Sequence, residues 1–504
     1  MFPLAWIWSR SIDPAHLEFG IWIHLLLFFA VALHCLLRPR EPRSTLAWLF
    51  ATAALPVLGA CLYLFFGINR VREKGWQKHR SDEIFGTNRD LREQSANPLE
   101  YWRGIRAGVL AQPSVAGARE LNAFLDRLAC NHPLLGGNAV QILVDAPEAY
   151  PAMFAAIRAA RRHIHLQSYI IGDDETGREL LDALAERAGA GVQVRVLYDE
   201  FGSARARLRR FFQQYANRPN LKIVGFTQVH LLKRQFQLNL RNHRKILVVD
   251  GTVGFTGGMN FYDAYRSRPN QPATHDYHFR IEGPTVLELQ YSFLRDWYYM
   301  TDEPTEQLLA PTFFPHTEPI GDTPVRLLNN GPTATESETL LDALFAAITG
   351  ARHQVLIVTP YFVPPEDLQR ALRCAALRGV NVKVLVPTVN NHPYVGYASR
   401  ALYEGLLDAG VRIFEAPPPF LHAKAMLVDD VIAWVGSANF DARSLRLNYE
   451  TSLVVMDERF VAALKRVVLA DFALAAEVPL AAWRTRPIRQ RIVESFCALL
   501  SPVA

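Results

Sequence analysis

Two runs without Asp, Glu, Lys or Arg open the chain, residues 19–37 and residues 45–68. At 19 and 24 residues, each is long enough to cross a hydrocarbon core as a helix. Between them lies Arg38-Pro-Arg40-Glu-Pro-Arg43, whose two prolines and four charges predict a turn. The pattern predicts a two-helix membrane hairpin over residues 1–69, with Pro56 and Gly59 as kink positions in its second helix. A cleaved leader fits poorly. Arg10 is the only Lys or Arg ahead of the first run, and a second run follows at once. Two spans would place both ends of the chain on one side. That side would carry Arg10, Arg70, Arg72, Lys74, Lys78 and Arg80, against Arg38, Arg40 and Arg43 in the loop. The excess favours a cytoplasmic location for everything after the hairpin.

Past residue 69 the pattern changes. Residues 70–135 are polar and helix-leaning, as expected of a linking segment. Apolar positions then alternate between helical and strand spacing, and do so twice. The first pass predicts a helix over 155–164, a strand over 163–169, a helix over 179–191 and a strand over 192–199. The second predicts a helix over 341–351, a strand over 355–361, a helix over 367–379 and a strand over 380–386. Gly191-Val-Gln-Val-Arg-Val-Leu and Gly379-Val-Asn-Val-Lys-Val-Leu align at an offset of 188. Such alternation argues for an α/β fold. Two similar halves, residues 136–325 and 326–504, are expected to meet across a pseudo-two-fold axis, with a site between them.

Composition narrows the classes. The 504 residues carry a net charge of +5, short of the excess of a protein that coats nucleic acid. A mild basic lean suits an anionic membrane surface. The five cysteines are scattered and contain no C-x-x-C, which argues against a disulfide framework or a cysteine zinc site.

Each half then repeats one cassette. The first reads His243-Arg-Lys245 through Asp250, then six residues, then Gly257-Gly258-Met-Asn260. The second reads His422-Ala-Lys424 through Asp429, then six residues, then Gly436-Ser437-Ala-Asn439. On an extended chain, positions i and i+2 share a face, so each His and Lys point the same way, roughly 7 Å apart at Cα. Two imidazoles, two ammonium groups, two Asn side chains and Gly-rich backbone form no acidic ligand set for a metal. They suit a phosphate: Lys supplies charge, amides supply hydrogen bonds, and imidazole serves as nucleophile or proton carrier. A nucleophilic His needs a partner at its other ring nitrogen. Asp276 in the first half and Glu450 in the second are the candidates, each at the start of a strand-like run. Asp250 and Asp429 end their strands at a turn and are expected to be structural.

This doubled motif resembles the phospholipase D superfamily, and within it the bacterial cardiolipin synthases. The likeness extends to Arg43-Ser-Thr-Leu-Ala-Trp48, Gly137-Asn138, Thr359-Pro-Tyr-Phe-Val-Pro364 and Asn439-Phe-Asp-Ala-Arg-Ser444. It implies two phospholipase D-like α/β sandwich halves behind a membrane hairpin, in a bacterial inner membrane. It implies transfer of a phosphatidyl group between phosphatidylglycerol molecules, with no metal or other cofactor, through a phosphohistidine. His243, Lys245, Asp250, His422, Lys424 and Asp429 carry the family signature, and the resemblance implies that they form the catalytic set. Family precedent favours His243 as nucleophile and His422 as proton carrier. Lys245, Lys424, Asn260 and Asn439 would hold the phosphate, and Asp276 and Glu450 would orient the imidazoles. The implied partners are phospholipids and the bilayer, not nucleic acid. Phospholipase D hydrolysis to phosphatidic acid, or use of phosphatidylethanolamine as one partner, is the rival outcome. Residues 387–400 and Glu415-Ala-Pro-Pro-Pro419 depart from what the housekeeping synthases lead one to expect, and would line the lipid entrance. The tail, with Arg484, Arg486, Arg489 and Arg491 beside Ile492, Phe496, Leu499 and Leu500, reads either as a basic amphipathic segment on the bilayer or as a packed terminal helix.

Overall fold

Pro56 decides the form of the apolar N-terminus. It has no N–H to donate, and its ring disfavours helix at Leu55 before it. In the computed structural model, α1 (Pro14–Leu37) is one continuous helix. The second limb is broken into α2 (Pro42–Ala54), a turn at residues 55–57 with Val57 at φ 60°, α3 (Leu58–Leu62) and a π-helical turn at Tyr63–Gly67. Among the described residues one helix, not two, is long and apolar enough to cross a membrane. The limbs still pack together: Val31 and Cys35 of α1 meet Ala60 and Tyr63. The Tyr63 hydroxyl lies 2.5 Å from His34 Nδ1. The structure describes residues 14–37, 42–67, 70–96, 118–129, 132–226, 240–268, 272–332 and 338–500, with Val109, Gln112 and Glu336 besides. Arg10 and the charged link 38–41, which bore on orientation, lie outside them.

The chain divides into two compact units, residues 1–73 and 74–504. The large unit begins within α4 (Arg70–Ala96). The first part of the segment expected to link is a helix held by buried ion pairs. Lys78 is fully buried, 2.6 Å from Asp82 and 3.1 Å from Asp296, and Arg89 pairs with Glu288.

The expected strands form, each within two residues at its start and three at its end. The first half supplies β1 (Leu135–Val144), β2 (His163–Ser168), β3 (Gln193–Asp199), β4 (Leu221–Phe226), β5 (Ile246–Val249), β6 (Val253–Gly257) and β7 (Tyr277–Glu282). The second supplies β8 (Thr323–Asn330), β9 (Gln354–Val358), β10 (Phe362–Val363), β11 (Asn381–Pro387), β12 (Arg412–Ala416), β13 (Ala425–Val428), β14 (Ile432–Gly436), β15 (Phe440–Asp441), β16 (Glu450–Val455) and β17 (Ala476–Glu477). From the seam outward, one side runs β1-β7-β6-β5-β2-β3-β4 and the other β8-β16-β14-β13-β9-β11-β12, with β17 at the edge. The two orders correspond strand for strand, so the duplication read in the sequence is a duplication of topology. β2–β3–β4 and β9–β11–β12 are parallel, joined by helices such as Glu175–Gly189 and Glu366–Leu377.

Antiparallel β1 and β8 close the seam. Asn138, noted in the sequence, is buried there. Its Nδ2 donates to the carbonyls of Leu135 (2.8 Å) and Thr323 (3.1 Å), and its Oδ1 accepts from Thr285 N (2.9 Å). One core is shared by both halves, between the inner sheet faces and the helices Thr285–Thr301 and Glu458–Leu474. Each outer face has a core of its own.

Candidate active site

The two cassettes sit at matching places. His243 and Lys245 lead into β5, and His422 and Lys424 into β13. Asp250 and Asp429 stand at the far ends of those strands, seven residues and about 23 Å along the chain from their histidines. Both take positive φ, 53° and 51°. Asp250 accepts from the backbone N–H of Arg161, Arg162 and His163 (2.7–2.9 Å). Asp429 does the same for Arg352, His353 and Gln354 (2.7–2.9 Å). Each ties the turn that feeds β2 or β9, the structural duty expected of it, and neither touches the imidazoles.

The imidazole partners are crossed. His243 Nδ1 lies 3.1 Å from Glu450 of the second half, and His422 Nδ1 lies 2.7 Å from Asp276 of the first. The backbone enforces the exchange. Isolated parallel bridges join Asn242 to Tyr449 and His275 to Leu421. His243 N donates to Tyr449 O (2.9 Å), and His422 N to His275 O (2.7 Å). Each histidine is thus stitched beside the other half's carboxylate.

The glycines make room. Gly257 and Gly436 adopt φ 152° and 150°. A Cβ on either would stand 2.7 Å or less from the backbone of β7 or β16. A Cβ on Gly258 would meet Asp276 Oδ1 at 2.1 Å. The equivalent Ser437 instead uses its hydroxyl, donating to Glu450 Oε2 at 2.5 Å. Asn448 Nδ2 donates to Glu450 Oε1 (3.2 Å). Asp276 receives the Tyr265 hydroxyl at Oδ2 (3.0 Å) and Tyr277 N at Oδ1 (2.8 Å). The Tyr265 oxygen is also 3.1 Å from His422 Nδ1.

Lys245 Nζ donates to His243 O at 2.7 Å, and Lys424 Nζ donates to His422 O while standing 2.9 Å from His422 Nδ1. Tyr169 packs its ring 4.9 Å from that of His243. Asn260 accepts at Oδ1 from Ile170 N (3.1 Å), and Asn439 donates through Nδ2 to Ser444 Oγ (3.2 Å). Asn439 Oδ1 is buried and has no hydrogen-bond partner. Among the predicted residues, then, both His, both Lys and both partner carboxylates gather, while the two motif aspartates do not. Tyr265 was not foreseen: nothing marks it five residues past Asn260, and the second half places Ser444 at that spacing. Ser437 stood in the motif without a role, although a hydroxyl where the other copy has Gly was a readable signal.

Burial sets the electrostatics. It pushes the Lys245 ammonium down to about 7 and that of Lys424 to about 8. Burial, then Lys424, depresses His422 to about 4. His243 is likewise lowered, by burial first and then by Lys245 and Lys424, against the pull of Glu450. Burial alone would raise the carboxyls. Lys424 and His422 outweigh it for Asp276, as His243 and Lys245 do for Glu450, so both lie below the usual range. The resting cleft therefore holds neutral imidazoles, ionised carboxylates and easily discharged ammonium groups. A carboxylate accepting Nδ1–H leaves Nε2 with its lone pair. The arrangement can attack an electrophile with one imidazole and move a proton with the other, beside cations that favour an anion.

Beneath the pair the supports differ. Arg244, fully buried, donates through Nε to Glu450 O (3.2 Å) and pairs with both oxygens of Asp296 at 2.7 Å. Asp296 also takes Lys78, Gln167 Nε2 (2.8 Å) and Asn242 Nδ2 (3.0 Å). Beside Asp276, His275 lies between Asp145 (2.9 Å) and Asp471 (3.0 Å), whose carboxylates outweigh burial and raise it to about 10.

Comparison with known proteins bears on the family and the fold. A family model described as cardiolipin synthase, phospholipase D-like domain, matches residues 153–297 and 344–471. A phospholipase D-nuclease N-terminal model matches residues 26–67. A cardiolipin synthase of Geobacillus kaustophilus is 36% identical over 94% of this chain and 91% of its own length. Cardiolipin synthase A of Pseudomonas fluorescens is 35% identical over 95% of this chain and 98% of its own. In fold, the chain is similar to the crystal structure of a phosphatidylserine synthase from Haemophilus influenzae, at TM-score 0.57 and 16% identity over 76% of this chain and all of that one.

Proposed function

This chain belongs to the cardiolipin synthase family with phospholipase D-like halves, and from that premise we propose that it joins two phosphatidylglycerol molecules into cardiolipin and glycerol by way of a phosphohistidine. The observation that carries the reading is the crossed pair of His–carboxylate contacts beside two buried lysines.

His243 Nε2 attacks phosphorus in the first phosphatidylglycerol while Glu450 holds Nδ1–H. As the P–O bond to the head glycerol breaks, His422 gives that oxygen its proton, and glycerol leaves. His422 Nε2 next takes the proton from a glycerol hydroxyl of the second phosphatidylglycerol. That oxygen attacks the phosphorus and the P–N bond breaks, restoring neutral His243. One group serving as acid and then base follows from microscopic reversibility. The bound phosphodiester is an anion. It raises the imidazoles and ammonium groups toward their charged forms, which supplies the proton that His422 must hold. Lys245 and Lys424 compensate the charge on the non-bridging oxygens. The Asn439 Oδ1 that lacks a partner could accept from a substrate hydroxyl.

The halves are taken as residues 136–325 and 326–504, after a hairpin within residues 1–69. The proposed setting is the bacterial inner membrane, with both N-terminal limbs in the bilayer and the large unit on the cytoplasmic face, following the Lys and Arg excess.

The test is product analysis for the full chain in phosphatidylglycerol vesicles, by thin-layer chromatography and mass spectrometry. Cardiolipin with equimolar glycerol is expected. Phosphatidic acid without cardiolipin would make the chain a hydrolase.

A further inference from the structure

The terminal helix Ile488–Leu500 is built inside out. Its packed face centres on a carboxylate, beside half-buried Gln490, Cys497 and Ala498. Glu494 is 0% exposed, its carboxylate accepting from Arg486 Nε (2.9 Å) and from Gln490 Nε2 (2.7 Å). Arg486 also reaches Glu404 (3.3 Å) on the helix Pro393–Leu407, against which the terminal helix packs. Its outward face is apolar: Ile488 is 71% exposed, Ile492 63%, Phe496 62% and Leu499 76%. At 100° per residue these four fall within one stripe opposite Glu494. Water is a poor solvent for such a stripe, which fits an apolar medium.

Two observations identify the medium. Arg484, Arg489 and Arg491 lie exposed on the same segment, so the apolar stripe is flanked by cations, the pattern of helices that lie at an anionic lipid interface. The helix beneath leads to the candidate site. Its first turns carry exposed Tyr394 and Tyr397 and follow exposed Val389. Val389 and Tyr397, with Thr388 and Arg400, border a cavity of about 240 Å³ beside Pro360. The next residue, Tyr361, has its ring 6.4 Å from that of His422. We propose that the helix Ile488–Leu500 lies in the interface of an anionic bilayer, with Ile488, Ile492, Phe496 and Leu499 below the headgroups, and so presents the opening at Val389–Tyr397 to lipid. The proposal rests on the reading that the substrates are phospholipids in a membrane.

The test uses the full chain and the double variant Ile492→Glu/Phe496→Glu. With phosphatidylglycerol in vesicles, KM should rise about tenfold or more, the loss expected when two large side chains no longer enter hydrocarbon. With short-chain phosphatidylglycerol dispersed as monomers, kcat and KM should stay at the parent values. Ile492→Leu/Phe496→Leu should restore the vesicle KM. Equal loss on both substrates, or on neither, would overturn the proposal.

A second measurement does not depend on turnover. A dye at Leu499→Cys, in a background with the native cysteines replaced, should lose fluorescence to phosphatidylglycerol brominated high on its chains. Fluorescence indifferent to bromine, or quenching that follows protein density instead, would overturn it; the latter would assign the face to a second copy. Quenching without cardiolipin formation would keep the docking surface and reject the synthase reading.

Discussion

The two halves share topology and cassette, yet they secure their carboxylates by different means. Glu450 is held by the Ser437 hydroxyl and the Asn448 amide, over the buried Arg244–Asp296 pair. Asp276 is held by Tyr265 and its own strand, beside a His275 fixed between two aspartates, with Gly258 leaving the space its carboxylate fills. A side chain can be spared in one copy when a neighbour of different sequence supplies the hydrogen bond. What cannot diverge is the exchange itself. Because each histidine leans on the other half's acid, neither half holds a complete site.

The largest effects should come from breaking one crossed contact at a time. Asp276→Asn and Glu450→Gln should each lower kcat by about a hundredfold to ten-thousandfold, as when a carboxylate behind a catalytic imidazole is neutralised. They should do so in different steps. With a p-nitrophenyl phosphatidyl ester, whose leaving group needs no acid, Glu450→Gln should slow the nitrophenol burst. Asp276→Asn should leave the burst and slow the steady state. If the carboxylates instead served their own halves, the two phenotypes would be exchanged.

A smaller effect is expected from pH. The ammonium form of each lysine favours the anion, and its buried value lies below that of an ordinary lysine. Charge is present below that value and lost above it. The kcat/KM profile should therefore fall as pH rises through about 7 to 8, and the Lys245→Arg variant should move this limb upward. A profile flat to pH 10 would show that neither ammonium is depressed in the working enzyme.

The smallest effects should separate the two supports. Losing one hydroxyl donor to a carboxylate costs about 1.5–3 kcal/mol, or roughly ten- to a hundredfold. Tyr265→Phe should slow the steady state and Ser437→Ala the burst. Gly258→Ser, the residue of the other copy, should be worse than Ser437→Gly, because its Cβ would meet the Asp276 carboxylate.

Much of this was legible in the chain. The paired seven-residue runs that begin at Gly191 and Gly379 place β3 and β11, and the doubled H-x-K marks both imidazoles and both lysines. The turn duty of Asp250 and Asp429 followed from their place at a strand end. The crossing was not legible, because it arises from bridges between residues 207 and 146 positions apart, Asn242 to Tyr449 and His275 to Leu421. Nor was the burial of Lys78 and Arg244 against Asp296 legible, since that pairing spans distant parts of the chain. Pro56 was readable as a kink within residues 45–68, and the structure makes it a full break between helices. The tail was open to two readings in the sequence, and the burial of Glu494 opposite exposed Ile492 and Phe496 could not be read from it.

In the proposed reaction His243 carries the phosphatidyl group while His422 moves protons. The most direct measurement takes the His422→Asn variant, reacts it with the p-nitrophenyl phosphatidyl ester, and maps the adduct by mass spectrometry under mildly alkaline conditions that preserve phosphoramidates. With no base to activate the acceptor, the adduct should persist on the peptide containing His243, and His243→Asn should yield none. An adduct elsewhere in the His422→Asn protein, or sustained cardiolipin formation by that variant, would contradict the account.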